Sequence, residues 1–159
     1  MQTRSDGGPP VTTLADFAEL ARAEKGLVVV ATQRADHSVQ ASLVNAGVLD
    51  SPRTGDPVVG FVTYGPVKLA NLRARPRLAV TVRSGWQWAT VEGDAELIGP
   101  DDPSPGMDAE QTRLLLREVF VAAGGQHDDW DEYDRVMAEQ RRCVVLVRPI
   151  RCYSNAPSS

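Results

Sequence analysis

A chain of 159 residues, 42% hydrophobic and 24% charged, has the size and composition of one soluble globular domain, which excludes a disordered chain, a coiled coil and a collagen-like fibre. The longest apolar runs, 27–31 and 143–147, fall far short of the ~20 apolar residues that span a bilayer, so no membrane partner is expected. The net charge of -4 conceals an asymmetry: positions 57–91 hold no Asp or Glu but carry Lys68, Arg73, Arg75, Arg77 and Arg83, while the remainder has 12 basic and 21 acidic residues. A basic island in an acidic protein suits a small anionic ligand better than a nucleic-acid backbone, although a solvated basic face has the same composition.

Residues 1–10 are polar and rich in Gly and Pro, which predicts a disordered tail with no secretion signal and hence a cytoplasmic protein; 11–155 reads as a single domain. Thr12-Thr13 followed by Leu14, Phe17, Ala18 and Ala21 predicts a capped helix to about Lys25, stopped by Gly26. Strands are expected at 27–33 and 39–49, joined by a turn that places His37 at the surface, and a third at 58–64. Gly65-Pro66 opens a short helix from Val67 to about Ala74, ended by Pro76. Two strands follow, 78–83 and 86–98. In the second, Ala89, Val91, Gly93, Ala95 and Leu97 alternate with Trp86, Trp88, Thr90, Glu92, Asp94 and Glu96, which puts small residues on an interior face and both tryptophans on the opposite one. Beyond a loop at 99–106, helices are expected at 108–123 and from the Asp128-Asp129 cap to about Gln140, with His127 at the second helix's start and Trp130 and Tyr133 packed inward. A last strand spans 143–153. Six strands with helices inserted and no βαβ alternation predict a mainly β fold, an antiparallel barrel with peripheral helices.

Cys143 and Cys152 lie about 30 Å apart along one extended strand, too far to bridge, and no Cys/His spacing fits a metal site. No nucleophile motif or carboxylate pair stands out, so no catalytic residue is named. The most informative stretch is 63–77. It runs from a strand through a Gly turn into a helix N-terminus, where free N–H groups favour phosphate, and at 100° per residue Lys68, Asn71, Leu72 and Arg75 share a helix face. A phosphate cradle and a basic surface helix both fit this pattern.

The segments at 40–45 (QASLVN), 68–76 (KLANLRARP) and 88–97 (WATVEGDAEL), with the tail 127–133 and 148–153, together resemble the pyridoxamine 5'-phosphate oxidase-like split β-barrel family, and within it the branch that uses coenzyme F420. The resemblance covers roughly 12–155. It implies a homodimer with the cofactor between subunits, Thr63, Lys68 and Asn71 at its phosphate, and Gln40, Ser42, Val44 and Asn45 at its ring and ribityl chain. Many relatives carry an Arg one or two positions before the Lys, where this chain has Pro66-Val67; Arg73 and Arg75 would compensate or meet the acidic oligoglutamate tail. Trp86 and Trp88 ask for a partner surface, either the dimer interface or the cofactor. The implied activity is hydride transfer between reduced coenzyme F420 and a small organic substrate, with FMN as the alternative cofactor and a non-catalytic F420 carrier as the alternative role.

Overall fold

A computed structural model describes residues 12–155, and the expected tail lies outside them. The elements run α1 (Leu14–Ala23), β1 (Leu27–Gln33), β2 (Val39–Asp50), β3 (Pro57–Thr63), α2 (Pro66–Ala74), β4 (Arg77–Ser84), β5 (Gln87–Ile98), α3 (Ala109–Ala122), α4 (Trp130–Glu139) and β6 (Cys143–Ser154). The six strands form a closed antiparallel barrel in the order β1-β2-β3-β6-β5-β4, as expected. None of the described helices is long and apolar enough to cross a membrane. The two cysteines, both on β6, are free.

Alternation along the strands fills the barrel. Val28 and Val30 of β1, Val59 and Phe61 of β3, Val80 and Val82 of β4, and Ala89 and Val91 of β5 are buried in one cluster, which Phe17 of α1 and Leu69 and Leu72 of α2 close off. The first part of β6, 143–147, is covered on both faces. Cys143, Val145 and Val147 point into the barrel, while Val144 and Leu146 join Leu115, Leu116, Val119 and Tyr133 in a second cluster beneath α3 and α4. Burial on both sides is why 143–147 is apolar without alternating. Asp134 ties the two helices together, accepting from Arg113 at 2.7 Å and Arg117 at 2.6 Å.

The end of α3 lies directly on the barrel. A Cβ at Gly47 would stand 2.0 Å from the Ala122 carbonyl oxygen, and one at Gly26, where φ is +80°, 2.3 Å from that of Ala123. Only glycine permits this approach, and it brings α3 over β2 to form one wall of a cleft.

The tryptophans differ in setting although both line one outer groove. Trp88 lies on the outer face of β5, edge-on to Tyr153 at 6.1 Å between centroids, whereas Trp86 falls outside the strand, in the β4–β5 turn, and is 94% exposed. The expected shared strand face therefore fails at Trp86, because Gly85 with φ +63° makes the turn one residue later than the alternation implied.

Candidate functional site

α2 begins at Gly65, which has no side chain to cap the helix, and Pro66 takes the first helical position. The first-turn amides therefore have no side-chain partner and face outward with the positive end of the helix dipole. Three residues in, Lys68 is only 6% exposed. Its Nζ lies 3.4 Å from Thr63 Oγ1, which also accepts from the Gly65 amide at 3.2 Å, leaving the Thr63 hydroxyl hydrogen free to donate. Among the described residues no carboxylate lies within ion-pair distance of Lys68, and burial holds its pKa below the ordinary lysine value. A buried ammonium without a counter-ion is costly, and an anion in the adjoining space relieves the cost.

That space is a cleft of about 770 Å³. One side is β2 at Leu43, Val44 and Asn45; the floor is the β3–α2 turn from Val62 to Lys68; the opposite side is the end of α3 with Phe120 and α4 with Tyr133, Val136 and Met137. Lys25, His127, Glu132 and Arg142 complete the lining. The walls are largely apolar and aromatic, the floor cationic, so the cleft suits a ligand with a flat apolar part and an anionic group.

Of the residues singled out in sequence, Val44, Asn45, Thr63 and Lys68 line this cleft together. The others do not. The β1–β2 register pairs Gln40 with Thr32 and Ser42 with Val30, so both side chains lie on the inward side of the ladder with those buried residues. Gln40 Oε1 accepts from Thr32 Oγ1 at 3.2 Å, and Thr32 Oγ1 accepts from Asn71 Nδ2 at 3.0 Å, so Asn71 belongs to an internal network that holds α2 to the barrel. Ser42 Oγ is buried with no hydrogen-bond partner among the described residues. Arg75 donates to the Gln33 carbonyl at 2.9 Å, and Arg73 is held by both carboxylate oxygens of Asp102 at 2.8 and 2.6 Å. Trp88 lines a separate outer groove with Leu27, Val29 and Thr81. Asn45 Nδ2 donates to the Lys25 carbonyl at 3.0 Å.

Sequence reasoning missed Lys25, Tyr64, Phe120, His127, Met137 and Arg142 as cleft residues. His127 does begin the α4 segment as expected, its Nδ1 accepting from the Asp129 amide at 3.0 Å, but its ring also packs with Phe120, Trp130 and Tyr133 at the cleft wall. Tyr133 packs inward as expected and donates to the Leu116 carbonyl at 2.9 Å; burial pushes its pKa up to about 12. The guanidinium of Arg142 sits 4.0 Å above the Tyr64 ring. Burial likewise pushes the Cys143 thiol up to about 12, which keeps it unreactive.

No family model matches the chain. Among solved structures, a conserved hypothetical protein of Mycobacterium tuberculosis is similar with a TM-score of 0.62 and 20% identity, covering 97% of this chain and 89% of that one. An F420 reductase is similar at 0.54 and 19%, covering 80% and 88%. A pyridoxamine 5'-phosphate oxidase-related FMN-binding protein of Nostoc punctiforme is similar at 0.59 and 13%, covering 89% and 81%. The fold is thus the split barrel of these proteins.

Proposed function

We propose that this chain is an oxidoreductase that binds coenzyme F420 in the cleft at Lys68 and reduces a small organic substrate. The observation that carries the reading is Lys68 itself, a buried cation with no carboxylate beside an uncapped helix N-terminus, opening onto an apolar cleft. Phosphate is the ligand group that answers both features. The likeness to an F420 reductase supports the deazaflavin, and the likeness to an FMN-binding protein supports FMN as the second reading.

When bound, the reduced deazaflavin supplies a hydride. The chain's own residues hold and shield it. Lys68 and the Thr63 hydroxyl bind the phosphate, with the first-turn amides of α2 beside them. Val62, Phe120, Val136 and Met137 exclude water along the apolar part of the cleft. Tyr133, committed to the Leu116 carbonyl and neutral to high pH, packs the wall and passes no proton. His127, with Nδ1 accepting, keeps its hydrogen on Nε2 as a donor at the cleft wall.

The working unit in this reading is a homodimer joined through the outer groove, where Leu27, Val29 and Leu43 are exposed between Trp86 and Trp88. Leu43 lines the groove and the cleft alike, so a second copy on that face would also border the ligand.

Fluorescence titration with coenzyme F420 and with FMN tests the cofactor, followed by oxidation of the reduced form against enones, quinones and tetrapyrroles. Tighter binding of coenzyme F420 with turnover of one acceptor is the expected result. Tighter binding of FMN would overturn the choice of cofactor, and tight binding without turnover would leave a carrier.

A further inference from the structure

The wall of the cleft built by the end of α3, by α4 and by the segment between them is mostly aliphatic and aromatic, and among the described residues it presents three polar side chains, His127, Glu132 and Tyr133. Two of these have no hydrogen to give a ligand. The Tyr133 hydroxyl donates to the Leu116 carbonyl at 2.9 Å, and the Glu132 carboxylate only accepts. The remaining donor on this wall is His127.

Its ring is fixed by the fold. Just past α3, a Cβ at Gly125 would stand 2.5 Å from the Phe120 ring, so only glycine lets the chain pass this close over Phe120. Two residues on, the half-buried imidazole packs among Phe120, Trp130 and Tyr133 at 6.3, 6.0 and 5.8 Å between centroids. Its polar neighbours gather on one edge. Nδ1 accepts from the Asp129 amide at 3.0 Å, and the exposed Asp128 carboxylate lies 4.0 Å from the same atom. The hydrogen therefore sits on Nε2, which meets no acceptor among the described residues. A single oriented N–H in an apolar aromatic wall recognises one acceptor atom on the edge of a flat, otherwise apolar molecule.

We propose that His127 Nε2 donates a hydrogen bond to the carbonyl oxygen of the substrate, and that the substrates of this cleft are flat conjugated carbonyl compounds, quinones or enones. This rests on the oxidoreductase reading above and names its substrate class. The reduction takes a hydride from the reduced cofactor, which loses two electrons, and a proton from water. His127 keeps its own hydrogen and meets the negative charge that gathers on the carbonyl oxygen.

The test compares duroquinone with durene, the same methylated ring without oxygens, on protein saturated with oxidised coenzyme F420 so that nothing turns over. By equilibrium dialysis the native protein should bind duroquinone at least about fivefold tighter than durene. His127→Phe, which keeps a ring in the aromatic cluster, should lose most of that preference and bind durene within about twofold of the native protein. His127→Gln, whose amide restores an N–H, should recover part of it. Should the variants fail to fold, nitrogen NMR of the histidine-labelled native protein carries the test, with His37 on the exposed β1–β2 turn as internal control: duroquinone should move the Nε2 signal of His127 and leave that of His37, and durene should move neither. An unmoved His127 signal, or a quinone preference retained in His127→Phe, overturns the proposal. A loss of coenzyme F420 affinity in His127→Phe with duroquinone unaffected also overturns it, by giving the donor to the cofactor. Failure of the native protein to bind coenzyme F420 overturns the cofactor reading instead, and the duroquinone contact is then decided on the protein alone.

Discussion

The two ends of α2 draw on the same basic stretch of sequence and put it to opposite uses. At the N-terminal end Lys68 is buried, lacks a carboxylate partner and faces a cleft. Toward and beyond the C-terminal end, Arg73 and Arg77 are spent on Asp102 and Asp94, and Arg75 is spent on a backbone carbonyl. The difference shows that local charge density does not measure charge available to a ligand. The acidic partners come from 94–102, outside the basic window, and only the folded barrel brings them into place.

The largest expected effect that would break this contrast is on ligand affinity at Lys68. Lys68→Ala should weaken coenzyme F420 binding by about 1.5–3 kcal/mol, the value of a charge-assisted hydrogen bond, as read by titration. Because it also removes a buried ammonium, the free protein should melt no lower than the native one.

A pH series sharpens the same point. Burial lowers the pKa of Lys68 below 10.5, so between the lowered value and 10.5 the folded state binds fewer protons than the unfolded state, and this residue's contribution makes the free protein more stable as pH rises. A bound phosphate favours the charged form. Affinity should therefore fall as pH rises through the lowered pKa, and this alkaline fall should be absent from Lys68→Ala titrations.

The opposite end should respond in stability, not in binding. Arg75→Ala removes the hydrogen bond to the Gln33 carbonyl and should cost about 1 kcal/mol in chemical denaturation. Arg73→Ala breaks a partly exposed ion pair with Asp102 and should cost at most about 1 kcal/mol, with ligand affinity unchanged in both variants. The smallest effect is expected at Ser42, whose buried hydroxyl lacks a partner; Ser42→Ala should raise stability by a few tenths of a kcal/mol up to about 1 kcal/mol.

The barrel was legible in the sequence because its signals are local. β1 occupies the expected 27–33, and the Thr13 cap, the Gly65-Pro66 helix start and the inward alternation of Ala89 and Val91 depend only on neighbours within a few residues. The 63–77 stretch was legible as a strand, Gly turn and helix start for the same reason, and Thr63, expected through the resemblance, lines the candidate cleft beside Lys68. The far wall was not, since Lys25, Phe120, His127, Met137 and Arg142 come from four separate stretches that meet only when α3 settles on Gly47. Gln40 and Ser42 were expected in the site by resemblance, but they share the inward face of β2 with Val44 and only Val44 of the three reaches the cleft, Gln40 being bonded to Thr32 farther along the strand. Trp86 was misplaced because the two-residue turn falls at Gly85-Trp86, one residue later than the expected Ser84-Gly85.

The account stands most directly on one comparison of affinities, coenzyme F420 binding to Lys68→Ala and to the double variant Arg73→Ala/Arg77→Ala in the same buffer. The single substitution should lower affinity at least about tenfold, in line with a lost charge-assisted contact, and the double substitution should leave it within about twofold although it removes twice the charge. A larger loss in the double variant than in Lys68→Ala would contradict the account and return the ligand's phosphate to the arginines beyond α2.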